Sequence, residues 1–581
     1  MRPRLHPVAR AEPGLAGLLG ELDGQFYAEY RQLVGRHALG PFTLEIVRVP
    51  ADPLSGPATV SVSLPRADAG LPPRLVDTRA RRIAVEDCLA RAATRALADQ
   101  LARQPTGGPG AGRVEVAAPG PTMIERSTCR ITERDVQLRL AVTLPAAGRR
   151  IRGLQARELF RSVERLATAT LLFSTRRGSE AERAVAVIDG HRELQQALAE
   201  RGLVAFVADG SVLARRQDDD GPHRGGLTSA FAVPDELSTI LELPGGERVR
   251  GLGIPAGVTL IVGGALHGKT TLLEALASGV RPHAPDDGRE RVAAIEEAVL
   301  LRAENGRSVR RVDVSGFLHE PPAALASEDV SLDAAGGALA CAAGLAEAVE
   351  LGVRLLLIDE DRCPPSFLQR DARMQRLVPA EQDPLTPLVD RVRELYERLG
   401  VSTVLATGSA GDYLEMADTV IEMRDHRPCD ASARARRVVV ETRGLRRAVP
   451  RPALQAPAVR RPRLDVPADQ ATVRPQWLGP LSLRAGGHAL DLRVLEGLVE
   501  PGEVCALALL LGAAARRADG RVGLRELLEQ LERGLDASGL DALDPPLRWD
   551  LARPRRFELA AALNRWTALG FERDVRPAAA T

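Results

Sequence analysis

The chain has 581 residues, of which 45% are hydrophobic and 27% charged, enough to bury several cores and to fill about three domains. A formal net charge of +1 excludes a globally basic nucleic-acid binder, so any such surface has to be local. The six cysteines (Cys88, Cys129, Cys341, Cys363, Cys429, Cys505) form no CxxC pair, which argues against a zinc site and a disulfide framework, and no leader or run of about 18 apolar residues is seen, so a soluble, cytoplasmic protein without membrane contact is expected.

Residues 1–225 read as an N-terminal α+β domain. FTLEIVRV (42–49) and VQLRLAVTLP (136–145) alternate with the period of a strand, whereas RRIAVEDCLARAATRALADQLARQ (81–104) carries the helical period. The polar, glycine-rich stretch RRQDDDGPHRGG (215–226) predicts the boundary to a second domain, 226–430. Residues 431–466 are rich in arginine and proline and read as a linker, with RVVVET inside it expected as a strand. The remainder, 467–581, reads as a small α-rich C-terminal domain, because VLEGLVEPGEVCALALLLGAAARRA, GLRELLEQLERGL and RRFELAAALNRWTAL are helical in period.

The chemistry concentrates in the second domain. Gly263, Gly264, Ala265, Leu266, His267, Gly268, Lys269, Thr270 and Thr271 fit GxxxxGK[ST], after the apolar run Val258–Val262 and before the helical TLLEALASG. In that strand-loop-helix setting the backbone N–H groups form an anion nest, reinforced by the positive end of the helix dipole. Lys269 is the only lysine in a chain that otherwise uses arginine. A compact ammonium enters such a loop and reaches the β- and γ-phosphates; a broad guanidinium fork does not. Thr270 is placed to ligate Mg²⁺.

A second strand has to complete the metal shell. RLLLIDED (354–361) is an apolar run ending in acids, which assigns Asp359 to Mg²⁺ and Glu360 to polarising the attacking water. The plainer alternative is that Glu360 and Asp361 open a polar loop. VSTVLATGS (401–409) is expected to be the neighbouring parallel strand, with Ser409 on the γ-phosphate side.

These segments, with LDGQFYAEYRQLVG (22–35), ERGLVAFVADGSVLARR (200–216), NGRSVRRVDVSGFL (305–318) and RDARMQRLV (370–378), resemble the predicted ATPases of the ABC class, a P-loop family distinct from membrane transporters. The resemblance implies an α/β P-loop NTPase core of the ABC-ATPase type between an N-terminal α+β domain and a small C-terminal α-rich domain. It further implies Mg-ATP binding and hydrolysis in a head-to-tail homodimer. In that dimer a signature segment of the second subunit contacts the γ-phosphate.

The chain departs from the family at several points. Its signature region is AAGGALACAAG (334–344): Gly337 is kept, but Ala338 and Cys341 stand where the family has polar side chains. Arg362 and Cys363 replace small hydroxyl residues after the acids; relative to transporter ATPases rather than to the family, no glutamine lies between Lys269 and Asp359, and Gly408 and Ser409 stand where a histidine would be, the latter a trait the family shares. Arg362 is expected to be solvated, with a charge-stabilising role as the alternative, His267 to donate to phosphate or pack the loop, and Asp371 and Arg373 to form structural pairs at the dimer face. Loss of a signature donor costs about 10²–10³ in rate and keeps open a hydrolysis-deficient, nucleotide-gated binding module. The aromatic-basic cluster Phe26, Tyr27, Tyr30 and Arg31, with the arginines of 424–463, keeps open RNA or single-stranded nucleic acid as a partner. A phosphotransferase is disfavoured because no acceptor-site motif appears.

Overall fold

A computed structural model of the protein describes residues 14–103, 110–216, 221–223, 230–320, 325–379, 382–442, 448, 451–464, 476–479, 482–485, 488–543 and 547–573. The described residues gather into two compact bodies.

The first body holds most of the chain up to Val185 together with Leu540–Ala552. Its antiparallel sheet runs Gly35–Leu39, Phe42–Arg48, Ala58–Pro65, Asp135–Thr143, Arg113–Glu115, with Cys129–Ile131 also paired to Asp135–Thr143. The period-2 pattern acts as expected: Phe42, Leu44 and Ile46 are buried while Thr43 between them is exposed. The predicted helix spans Arg79–Arg103 and packs with the helix Gly153–Leu171.

In the same body the two tyrosines of the aromatic cluster are core, whereas Phe26 and Arg31 are exposed. Tyr27 and Tyr30 are buried edge to face with centroids 5.2 Å apart, and the Tyr30 hydroxyl donates to the Pro145 carbonyl at 2.8 Å. The Arg150 guanidinium lies 4.3 Å from the Phe26 ring centre, and Arg31 Nε donates to the Ala28 carbonyl.

The second body contains a six-stranded sheet in the order Ala298–Leu301, Leu355–Asp359, Ser402–Ala406, Val258–Val262, Thr419–Arg424, Arg427–Asp430. The first five strands are parallel and the last is antiparallel. Leu355–Asp359 and Ser402–Ala406 are buried along their whole length, as parallel strands covered on both faces require. A smaller antiparallel sheet (Ser238–Glu242, Arg248–Pro255, Leu203–Ala208, Val292–Ala294) shares a core with the phosphate-loop helix through Val207, Leu252, Leu272 and Leu276.

Two expectations need correction here. RVVVET is not a strand: residues Ser432–Glu441 form a helix that packs on Thr419–Arg424 and on Gly411–Glu415, so tertiary contact overrides the β-preference of three valines. The helical reading that began at VLEGL fails until Pro501; the helix is Pro501–Ala515, and its first residue is the proline, whose missing N–H costs nothing there. The helices Leu524–Ser538 and Arg556–Arg565 follow as read. Strands accompany them: Arg460–Leu464 pairs with Leu569–Arg573, and Gln476–Gly479, Ser482–Ala485 and His488–Asp491 form a three-stranded sheet.

Several arginines of the Arg/Pro-rich stretch are structural. Arg424 and Arg434 pair with Glu422, and Arg463 with Glu572. Arg460, 2% exposed, donates from Nε and Nη2 to Glu350 at 2.8 and 2.7 Å, from Nη2 to Asn564 and from Nη1 to the Arg310 carbonyl. Removing it leaves the buried Glu350 carboxylate uncompensated. Arg460→Ala is therefore expected to lower stability by about 3–5 kcal/mol, read from the urea midpoint.

Candidate functional site

The phosphate loop joins the strand Val258–Val262 to the helix Lys269–Ser278. Its backbone is shaped by positive φ at Gly263 (142°), Leu266 (65°) and Gly268 (94°). A Cβ at Gly263 would meet the Met423 carbonyl oxygen at 2.4 Å, and one at Gly268 would meet His426 Nδ1 at 2.9 Å, so both positions require glycine. Leu266 holds a left-handed conformation without that freedom and is 94% exposed, a local strain of the kind found at binding loops. Gly264 and Ala265 are exposed as well, while His267, Gly268, Lys269, Thr270 and Thr271 are half-buried.

Lys269 folds back over its own loop, Nζ donating to the Gly263 and Gly264 carbonyls at 2.8 Å each. Its ammonium is thus held at the mouth of the nest. His267 turns Nδ1 away from the loop, where it accepts from the Asp425 N–H at 2.8 Å and ties the phosphate loop to the turn after Thr419–Arg424, while its Nε2 edge lies beside Gly264, 3.2 Å from that residue's Cβ position.

The acidic strand lies two strands from the loop strand, with Ser402–Ala406 between them. Asp359, 4% exposed, accepts from Thr270 Oγ1 at 2.9 Å through Oδ2 and from the Asp361 N–H at 3.1 Å through Oδ1. A hydroxyl and a carboxylate are thus brought together from two elements, and hard oxygen donors in this pairing suit Mg²⁺.

Glu360 is held by four donors. Oε2 accepts from Thr407 Oγ1 at 2.6 Å and from the N–H groups of Gly408 and Ser409 at 2.8 and 3.0 Å; Oε1 accepts from Ser409 Oγ. Burial pushes its carboxyl up, but the hydrogen bonds from Ser409, Thr407 and the two N–H groups outweigh it and hold it below the usual range. Thr407, not singled out by sequence reasoning, is thereby part of the site; its signal was its place directly before Gly408 and Ser409. Gly408 approaches the lysine, its Cβ position lying 3.8 Å from Lys269 Nζ.

Arg362 is not solvated. Nη1 donates to both oxygens of Glu496 at 2.6 Å, and Nη2 to Glu274 on the phosphate-loop helix. It leaves Asp359 at 3.9 Å, and Glu496, 134 residues away in sequence, could not have been found from spacing. Gly337 opens the helix Gly337–Glu350, which has no side-chain cap at Gly336. The altered residues behind it are coupled, because the Cys341 thiol is pushed up first by its hydrogen bond with Cys363 and then by burial. Two departures from the family pattern therefore meet. Asp371 does not pair with the Arg373 guanidinium in a structural bridge; its carboxylate accepts from the N–H groups of Arg373 and Met374 and caps the helix Ala372–Leu377.

Residues 14–174 match the model described as ATPase of the ABC class N-terminal, 177–458 the P-loop domain of the ABC ATPases, and 478–572 the MRB1590 C-terminal domain. The chain is 30% identical over 250 residues to uncharacterized protein MJ1628 of Methanocaldococcus jannaschii, the match covering 41% of this chain and 54% of that protein. Among solved structures it matches cbiO1 from Clostridium perfringens, part of the ABC transporter complex cbiONQ, at 14% identity and a TM-score of 0.26, covering 42% of this chain and 96% of that one. No helix among the described residues is long and apolar enough to cross a membrane. With its N-terminal and P-loop regions both matched, the chain belongs to the ABC-class ATPases, a P-loop family.

Proposed function

We propose that the protein binds Mg-ATP at the 263–271 loop and hydrolyses it, with Glu360 as general base and with ATP closing a homodimer. The observation that carries this reading is the convergence of Lys269, Thr270, Asp359, Glu360 and Ser409 at the ends of adjacent parallel strands, the place where open α/β sheets bind ligands.

The loop N–H groups and Lys269 hold the phosphates, the ammonium exchanging the Gly263 and Gly264 carbonyls for phosphate oxygens. Thr270 and Asp359 hold the magnesium ion, which neutralises phosphate charge when bound. Glu360 is ionised at neutral pH, but its oxygens are occupied by four donors, so accepting a proton from water requires the 407–409 segment to yield at least one of them. That segment serves as a restraint on the base. Across a dimer, the uncapped N-terminus at Gly337 offers backbone N–H groups where the signature side chains are missing.

The pH dependence follows in sign. A base acts only as carboxylate, so turnover falls as pH drops through its pKa, and the lowered value puts that acid limb below the ordinary 4.5. Ser409→Ala removes a donor and raises that pKa, so the acid limb of kcat/KM is expected to move to higher pH. The overall reading is tested by steady-state phosphate release with Mg-ATP, with mass followed by light scattering. Release together with an ATP-dependent doubling of mass upholds it. Doubling without release moves the protein to the class of nucleotide-gated binding modules.

A further inference from the structure

One hairpin touches the phosphate loop at three points. Thr419–Arg424 pairs with Arg427–Asp430, with Arg424 opposite Arg427, so the turn between the strands is the two residues Asp425 and His426. The Met423 carbonyl closes on Gly263, and the Asp425 N–H donates to His267 Nδ1 at 2.8 Å. The half-buried His426 ring leans on Gly268, where a Cβ would come within 2.9 Å of its Nδ1.

The turn is held against its own preference. Asp425 and His426 are both left-handed, with φ of 47° and 64°. Two-residue hairpin turns of this hand favour Asn-Gly or Asp-Gly. Asp425 suits the first place, but the second is glycine's, because a Cβ there crowds the following carbonyl. Leu266, Asp425 and His426 are three of the six non-glycine residues of positive φ among the described residues, so such backbone gathers at the junction of loop and hairpin. Strain of this kind persists only where the surroundings enforce it. What histidine adds over glycine at 426 is a ring against Gly268.

The middle contact has a chemical result. A ring nitrogen that accepts leaves the proton of a neutral imidazole on the other nitrogen. The Asp425 N–H thus sets His267 as an Nε2–H donor, on the edge that lies beside Gly264.

We propose that His426 is a positioning residue for the nucleotide: together with the Asp425 N–H, its strained turn holds the 263–271 loop in the form that receives phosphate before ATP arrives. The inference rests on the nucleotide reading above and adds the element that preorganises the loop. A site formed only part of the time binds more weakly by that fraction, so loss of a brace that leaves the loop formed a fifth of the time raises the apparent Kd about fivefold.

The test is His426→Gly in the full chain, with equilibrium binding of a labelled ATP in Mg²⁺ read beside the urea midpoint. The change relieves the left-handed backbone while removing the ring, so the midpoint is expected to equal or exceed the parent's while binding weakens at least about fivefold. Asp425→Gly keeps the backbone N–H and the ring and is expected to bind within about twofold of the parent. Equal weakening in the two variants would assign the effect to a looser turn and overturn the role of the ring. Parent-like binding in His426→Gly, or weaker binding with a lowered midpoint, overturns the brace alone. A parent that binds no Mg-ATP overturns the nucleotide reading itself, and the brace with it.

Discussion

Glu360→Gln is expected to lower kcat for ATP by about 10²–10⁴ while leaving Mg-ATP binding within about threefold of the parent, and to accumulate the ATP-bound dimer. Loss of the base explains the rate, but the geometry adds a second effect. The carboxylate takes four donors on two oxygens, and an amide has one acceptor oxygen, so the variant also loosens the 407–409 segment. Thr407→Val separates the two, since it removes one restraint and leaves the base intact. Its kcat is expected to stay within about tenfold of the parent. Equal losses in the two variants would mean that anchoring of the segment, and not proton transfer, is what Glu360 supplies.

Lys269→Arg is expected to weaken Mg-ATP binding at least about tenfold, although it preserves charge. Nζ reaches two carbonyls at 2.8 Å inside a loop whose glycines already touch Met423 and His426, and a planar fork has no room to make the same approach. Equilibrium binding of a labelled nucleotide is the measurement. Parent-like affinity in Lys269→Arg would show that the loop N–H groups alone hold the phosphates and would leave the single lysine unexplained.

What could be read from the sequence was local. Strand, loop and helix around Lys269 announce themselves through an apolar run, glycines and a helical period within about 25 residues, and RLLLIDED carries its own acids. What could not be read depended on partners far along the chain. Nothing near Arg362 points to Glu496, and nothing near Glu360 says that Thr407 will hold it. RVVVET misled because valine favours strands when nothing else decides, and here packing on Thr419–Arg424 and Gly411–Glu415 decided. Arg460 was likewise out of reach of the sequence, because it finds Glu350 across 110 residues.

The ion pairs that cross between the ATPase core and the C-terminal region bear on how the gene can be cut. Arg362 with Glu496, Arg281 with Glu503, Arg565 with Glu304 and Arg460 with Glu350 tie the two regions together. A fragment ending after the P-loop region would expose Arg281, Glu304 and Glu350 without counter-charges, two of them in surroundings built to exclude water. The segment that reads as a separable module in sequence thus supplies the core's buried counter-charges, and shuffling it between relatives would demand that both sides of every pair travel together.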